Sequence, residues 1–162
     1  MWGTIDTNMT KKQPDAIIQN RRARHDYDVR DEFSVGVVLT GAEVKAARNG
    51  HVSLKGSYVT LKDHELWLIN ASFSVQHSKP GQSERAVETG ARKLLARKKE
   101  IELLQEAKDQ GLTIVPLKMT TRTRYLKVTI ATAKGKKLYD KRETIKRRDQ
   151  ERESQRLMAA NR

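Results

Sequence analysis

Polar and apolar positions alternate with the two-residue period of a half-buried strand over several stretches of this chain, and only two stretches carry a helical pattern. Phe33-Ser34-Val35-Gly36-Val37-Val38-Leu39 is β-branched and apolar, which predicts a strand, and Gly36 within it suggests a bulge or a bend. Thr40-Gly41-Ala42-Glu43 has the Ser/Thr-x-x-Glu form of a capping box. It opens a short helix over Ala42 to Arg48 that Asn49-Gly50 ends. Ser53 to Lys62 and Glu65 to Ala71 predict two more strands, with Lys62-Asp63-His64-Glu65 as the hairpin turn between them. Residues 76–91 are polar and turn-rich, and predict a long loop. A helix follows from Arg97, with Ile101, Leu104 and Ala107 as its buried stripe, Leu103 widening it and Gly111 ending it. Leu112 to Met119 predicts a strand that Pro116 places at an edge or a bulge. Tyr125 to Ala131 alternates cleanly, with Leu126, Val128 and Ile130 facing one way and Lys127 and Thr129 the other.

This order predicts a mainly β fold, a small antiparallel β-barrel of the OB-like kind with two or three inserted helices and a basic C-terminal tail. Three regions are expected: a disordered or loosely docked extension over residues 1–19, the barrel over 20–133, and the tail over 134–162. The tail holds eleven Lys or Arg against five Asp or Glu, a net of +6 out of +13 for the chain. From Lys146 to Arg156 it has no apolar side chain. A helix there has no stripe to dock on its own domain, so the tail is either frayed or ordered by an anionic partner.

Composition narrows the partners. Of 162 residues, 36% are hydrophobic and 33% charged, enough for a small core but not for a core drawn from the whole length. A net charge of +13 points to nucleic acid or an anionic membrane surface. With no cysteine, disulfides and thiolate metal sites are excluded. No stretch approaches the roughly 20 apolar residues of a membrane span, and residues 1–19 lack the apolar run of a secretory signal. The cytosol is the expected compartment.

The chemistry of catalysis is missing from the pattern. His25, His51, His64 and His77 show no metal-ligand spacing, and there is no Gly-rich phosphate loop or nucleophile elbow. Neither an enzyme nor a cofactor is expected. Asn20-Arg21-Arg22-Ala23-Arg24-His25-Asp26-Tyr27 has the residues to hold phosphates and stack on a base, although the segment alone favours a solvated basic loop. Lys45 and Arg48 share a helix face, which suits an RNA contact and a solvated face equally.

Taken together, these motifs resemble a family. Asn20 to Tyr27, then Gly36-Val37-Val38-Leu39-Thr40-Gly41-Ala42-Glu43-Val44-Lys45, Ser57-Tyr58-Val59, Arg92-Lys93-Leu94-Leu95, Gly111 to Lys118 and Gly135-Lys136-Lys137-Leu138-Tyr139-Asp140-Lys141-Arg142 follow the order of the SsrA-binding proteins, also called small protein B. The resemblance implies a bacterial, non-enzymatic protein of trans-translation. Such a protein binds the tRNA-like domain of transfer-messenger RNA and delivers it to the stalled 70S ribosome. Its tail lies against 16S rRNA in the decoding centre and the empty mRNA path, and elongation factor Tu is met only indirectly, through the RNA.

By resemblance, Asn20, Arg21, Arg22, Arg24, His25 and Tyr27 belong to the side that meets transfer-messenger RNA. So do Glu43, Lys45 and Arg48 of the short helix, and Arg92, Lys93 and Leu95, with Glu43 and Leu95 read as packing more than contact. Lys134, Gly135, Lys136, Lys137, Tyr139, Asp140, Lys141 and Arg142, with Lys146, Arg147 and Arg148, are expected to face ribosomal RNA. The chain departs from the family pattern at Ser34, usually Glu, at Ala46-Ala47, usually Ser-Leu, and at Ala96-Arg97, where Asn or His is common. The alternative is a generic basic, ribosome-associated RNA-binding module, which needs only the charge and the barrel.

Overall fold

The computed structural model describes residues 17–79, 82–121, 125–137, 145–147, 149–150, 152–154, 156 and 158, with backbone alone at 77–79 and 82–85. Among these residues the fold is mixed α/β with antiparallel strand pairing in two sheets. The larger sheet runs β1 (Ile17–Gln19), β9 (Thr113–Thr120), β10 (Lys127–Gly135), β2 (Tyr27–Val37), β8 (Arg92–Leu95), β5 (Glu65–Ile69), β4 (Tyr58–Lys62). One further pair, Val59↔Ile114, returns β4 to β9, so the pairings pass through six strands and come back to their start. The smaller sheet is β3 (Val52–Ser53), β6 (Ser72–Lys79) and β7 (Gln82–Glu88). The helices are α1 (Arg21–Asp26), α2 (Gly41–Arg48) and α3 (Lys98–Asp109).

The strand alternation sets the main core. Val35, Val59, Leu66, Leu68, Leu94, Val128 and Ile130 turn inward, and α2 and α3 close over them with Ala46, Ala47 and Leu104. The capping box opens α2 as expected. Thr40 Oγ1 accepts from the Glu43 amide at 3.4 Å, and Glu43 Oε2 accepts from the Thr40 amide at 2.8 Å. The β4–β5 turn is also as expected, with Asp63 and His64 at φ 52° and 59°, the left-handed pair of a two-residue hairpin.

β10 is buried on both faces. Its second face, Ala131 and Ala133 with Val115 and Leu117 of β9, is covered by Ala23 of α1. Alanines here leave room for a helix to lie close to the sheet. Pro116 does mark a bulge. Thr129 pairs Lys118 while Ile130 pairs Pro116, which leaves Leu117 as the extra residue in β9. β9 is not an edge strand, however, because β1 covers its outer side.

Several expectations are corrected. Residues 76–91 are mostly a hairpin, β6 against β7, and not a long loop. Their side chains lack apolar alternation beyond Val75, so the register rests on backbone hydrogen bonds. Asn20 to Asp26 is a capped helix in place of a basic loop. Gly36 is paired regularly with Lys127 and Leu95 and marks neither a bulge nor a bend. Leu103 does not widen the buried stripe of α3, being 52% exposed. Ile17–Gln19 forms β1 against β9, and Lys134 and Gly135 complete β10.

Candidate nucleic-acid interface

α1 has only six residues, too few to be stable alone. Asn20 holds it in place. Its Nδ2 donates to the Leu54 and Pro116 carbonyls at 2.9 and 3.0 Å, and its Oδ1 accepts from the Ala23 amide at 3.3 Å. The Asn20 amide donates to the Leu117 carbonyl at 2.7 Å, so the bulge beside Pro116 supplies the carbonyls that anchor the helix. Asn20 is buried, with its side-chain polar atoms bonded within the fold.

With Ala23 turned inward, Arg21, Arg22 and Arg24 stand exposed. Arg22 Nε lies 3.3 Å from Asp26 Oδ2, and Arg24 Nη2 lies 2.9 Å from Glu32 Oε1. Both pairs are at the surface, worth roughly 0–1 kcal/mol, and exchange readily for a phosphate. His25 Nδ1 is 3.1 Å from Asp26 Oδ1, and Tyr27 is half-buried at the start of β2.

The root of the tail joins this face. Gly135 pairs with Tyr27 and Lys134 with Asp28. The Lys136 amide donates to the Asp26 carbonyl at 3.0 Å, and its Nζ donates to the Arg24 carbonyl at 3.3 Å. Lys134, Gly135 and Lys137 are exposed beside α1 or just past it. Two groups that the sequence separates by about a hundred positions are thus one basic surface.

The remaining residues form a second region. Lys45 and Arg48 are exposed on α2, while Ala46 and Ala47 are buried beneath them. Glu43, on the buried side of α2, and Arg92 of β8 are not on the surface. Arg92 Nε donates to Glu43 Oε1 at 2.7 Å, with both side chains almost wholly buried. Arg92 also donates to the carbonyls of Ala71, Gly90 and Glu88, and its guanidinium sits 4.1 Å from the Phe73 ring centroid. All three guanidinium nitrogens of Arg92 therefore donate within the fold. Lys93 points outward and pairs with Glu65, and Leu95 is 54% exposed over Gly36, not packed away.

Lys146 and Arg147 are exposed on helical residues of the tail. Tyr139, Asp140, Lys141, Arg142 and Arg148 lie outside the described residues. Sequence reasoning missed Lys55 and Tyr58, which line a groove with Arg22 and Tyr27. The β4 alternation carried the signal for Tyr58, since Val59 is buried and the residue before it must face out. No group of three or more metal-ligating side chains occurs among the described residues, and no helix among them is long and apolar enough to cross a membrane.

Comparison with known proteins agrees with this arrangement. The SmpB protein family model matches residues 17–160. The chain is 44% identical over 153 residues to the SsrA-binding protein of Streptococcus suis (strain 98HAH33), covering 94% of this chain and 97% of that one. It is 46% identical over 143 residues to the SsrA-binding protein of Nostoc sp. (strain PCC 7120), covering 88% and 92%. A solved structure described as "tmRNA-SmpB: a journey to the center of the bacterial ribosome" superposes with a TM-score of 0.60 at 40% identity, over 75% of this chain and 85% of that one. With the motif order, the basic surface and these matches in agreement, the chain belongs to the SmpB protein family.

Proposed function

We propose that this chain is a bacterial RNA-binding protein of trans-translation. It binds the tRNA-like domain of transfer-messenger RNA and carries it to stalled ribosomes, where its tail probes the decoding centre and the empty mRNA path of the 70S particle. Elongation factor Tu is met through the RNA, and the setting is the cytoplasm. The ring of strand pairings is read as an OB-like barrel that presents the RNA-binding face, and the chain catalyses no step itself. Arg21, Arg22, Arg24, Lys45 and Arg48, with Lys93 and Leu95, are its RNA-facing residues. Asn20, Glu43 and Arg92 hold those residues in place.

One observation carries the reading. The root of a strongly basic tail is hydrogen-bonded to the α1 that bears the arginines, so a single body presents one RNA surface and launches a second one from its margin. The test is a chain ending at Lys137, which leaves β10 and the Lys136–α1 bonds whole. It should bind the tRNA-like domain as the full chain does and fail to support tagging on stalled ribosomes. Loss of RNA binding in that chain would defeat the division of labour. Equal affinity of the full chain for bulk tRNA would favour the generic basic module instead.

A further inference from the structure

We infer that the groove between β2 and α3 is a docking site for a basic, amphipathic segment of a partner protein. The groove has a volume of about 500 Å³. One wall is a bulge in β2. Ala131 pairs with Glu32 and Ala133 with Val29, so Arg30 and Asp31 together oppose Thr132. Thr132 is buried, and its hydroxyl accepts from the Asp31 amide at 3.2 Å, which fixes the bulge. The in-out alternation of β2 breaks here, and Arg30, Asp31 and Glu32 are exposed in a row. The other wall is α3, where Leu103 lines the groove and is 52% exposed. Phe33 and Leu112, both half-buried, line it too. Three large apolar side chains around one open groove make a seat for an aliphatic side chain, whose burial there is favourable.

Charge selects the occupant. Asp31, Glu32 and Glu106 line the groove against one cation, Arg30. Glu32 is paired with Arg24, whereas no ion pair holds Asp31 or Glu106 among the described residues. Glu106 stands three residues after Leu103 on α3, so an acidic and an apolar group share one helix face. A phosphate backbone or an acidic peptide meets like charge at Asp31 and Glu106, which counts against both. A chain of net charge +13 repels a basic partner in general, so this groove supplies the local attraction that such a partner needs. The segment that fits has an aliphatic side chain for the seat between Phe33, Leu103 and Leu112. Its flanking lysines or arginines meet Asp31 and Glu106.

The test is titration of the full chain, followed by amide NMR shifts, with three short synthetic peptides. One alternates lysine with leucine, one has serine in place of leucine, and one has glutamate in place of lysine. The lysine–leucine peptide should shift the amides of residues 30–33 and 103–112, and the other two should leave them unmoved. Leu103→Ser should weaken its binding by about 5- to 10-fold, the worth of one partly buried leucine. Asp31→Asn and Glu106→Gln should each weaken it by up to about 5-fold at low salt. All three positions are exposed, so thermal midpoints and binding of the tRNA-like domain should stay as in the full chain. Shifts confined to other residues overturn the site, as does equal binding by Leu103→Ser or by the serine peptide. Much tighter peptide binding by a chain ending at Lys137 would make the chain's own tail the occupant and overturn the partner. A short single-stranded RNA that shifts the same amides would make nucleic acid the occupant and overturn it as well.

Discussion

The Arg92 guanidinium lies 4.1 Å from the Phe73 ring centroid and donates to Glu43 at 2.7 Å and to three backbone carbonyls. A buried, fully bonded ion pair adds little by existing, but removing one partner strands the other. Arg92→Met should lower the unfolding free energy by about 3–5 kcal/mol in urea titrations. The Glu43→Gln, Arg92→Met double variant should lose less than the sum of the singles, because each has already broken the same pair. A loss within about 0.5 kcal/mol for Arg92→Met would mean a solvated side chain and sink the strut role. Glu43 was legible as a cap from its spacing to Thr40. Arg92 was not, because Arg92-Lys93 reads as two like cations, and strand alternation alone decides that one points in and the other out.

At the scale of elements, α1 is the least self-sufficient piece. Its helical form rests on the Asn20 side chain, the Ala23 contact and the two bonds from Lys136, more than on the arginines that give it its chemistry. Asn20→Ala removes an N-cap and takes a donor from the Pro116 and Leu54 carbonyls, the second of which keeps its bonds from Ser57. It should cost about 1–3 kcal/mol and speed hydrogen exchange at the amides of residues 23–26. Weakened RNA binding with unchanged exchange would instead make Asn20 a direct contact. The segment had no helical period to read in the sequence, since six residues span less than two turns. The β6–β7 hairpin was missed for a related reason. Its distal half is polar on both sides, and alternation is visible only where one face is buried. The α2 cap, the β4–β5 turn and the β9 bulge were legible because each depends on a local residue type.

For the whole molecule, the distribution of charge matters more than its total. On a chain of net charge +13, α1 and the tail root gather Arg21, Arg22, Arg24, Lys134, Lys136 and Lys137, while α3 mixes Lys98, Lys99 and Lys108 with Glu100, Glu102, Glu106 and Asp109. A protein so divided meets a polyanion with one side. RNA binding should therefore weaken steeply with salt, the logarithm of affinity falling linearly with that of salt at about 0.7–0.9 per phosphate neutralised. Filter-binding measurements across a salt series check this, and a flat curve would count against a phosphate-led contact. A barrel was expected from the strand order, but the junction of α1 with the tail root was not legible. It depends on β10 pairing with β2 as far as Gly135 and on the bonds from Lys136 to α1.

That extension of β10 has a mechanical consequence. The strand leaves the core, pairs through Gly135 with Tyr27, and is tied at Lys136 to the backbone of α1. The tail is therefore clamped at its base like a cantilever, with an origin fixed relative to the RNA-binding arginines. Reach beyond Lys137 becomes a matter of counting residues: about 1.5 Å for each in a helix and at most about 3.6 Å for each in extended chain. Losing the two bonds from Lys136 to α1 would free the direction in which the chain leaves β10.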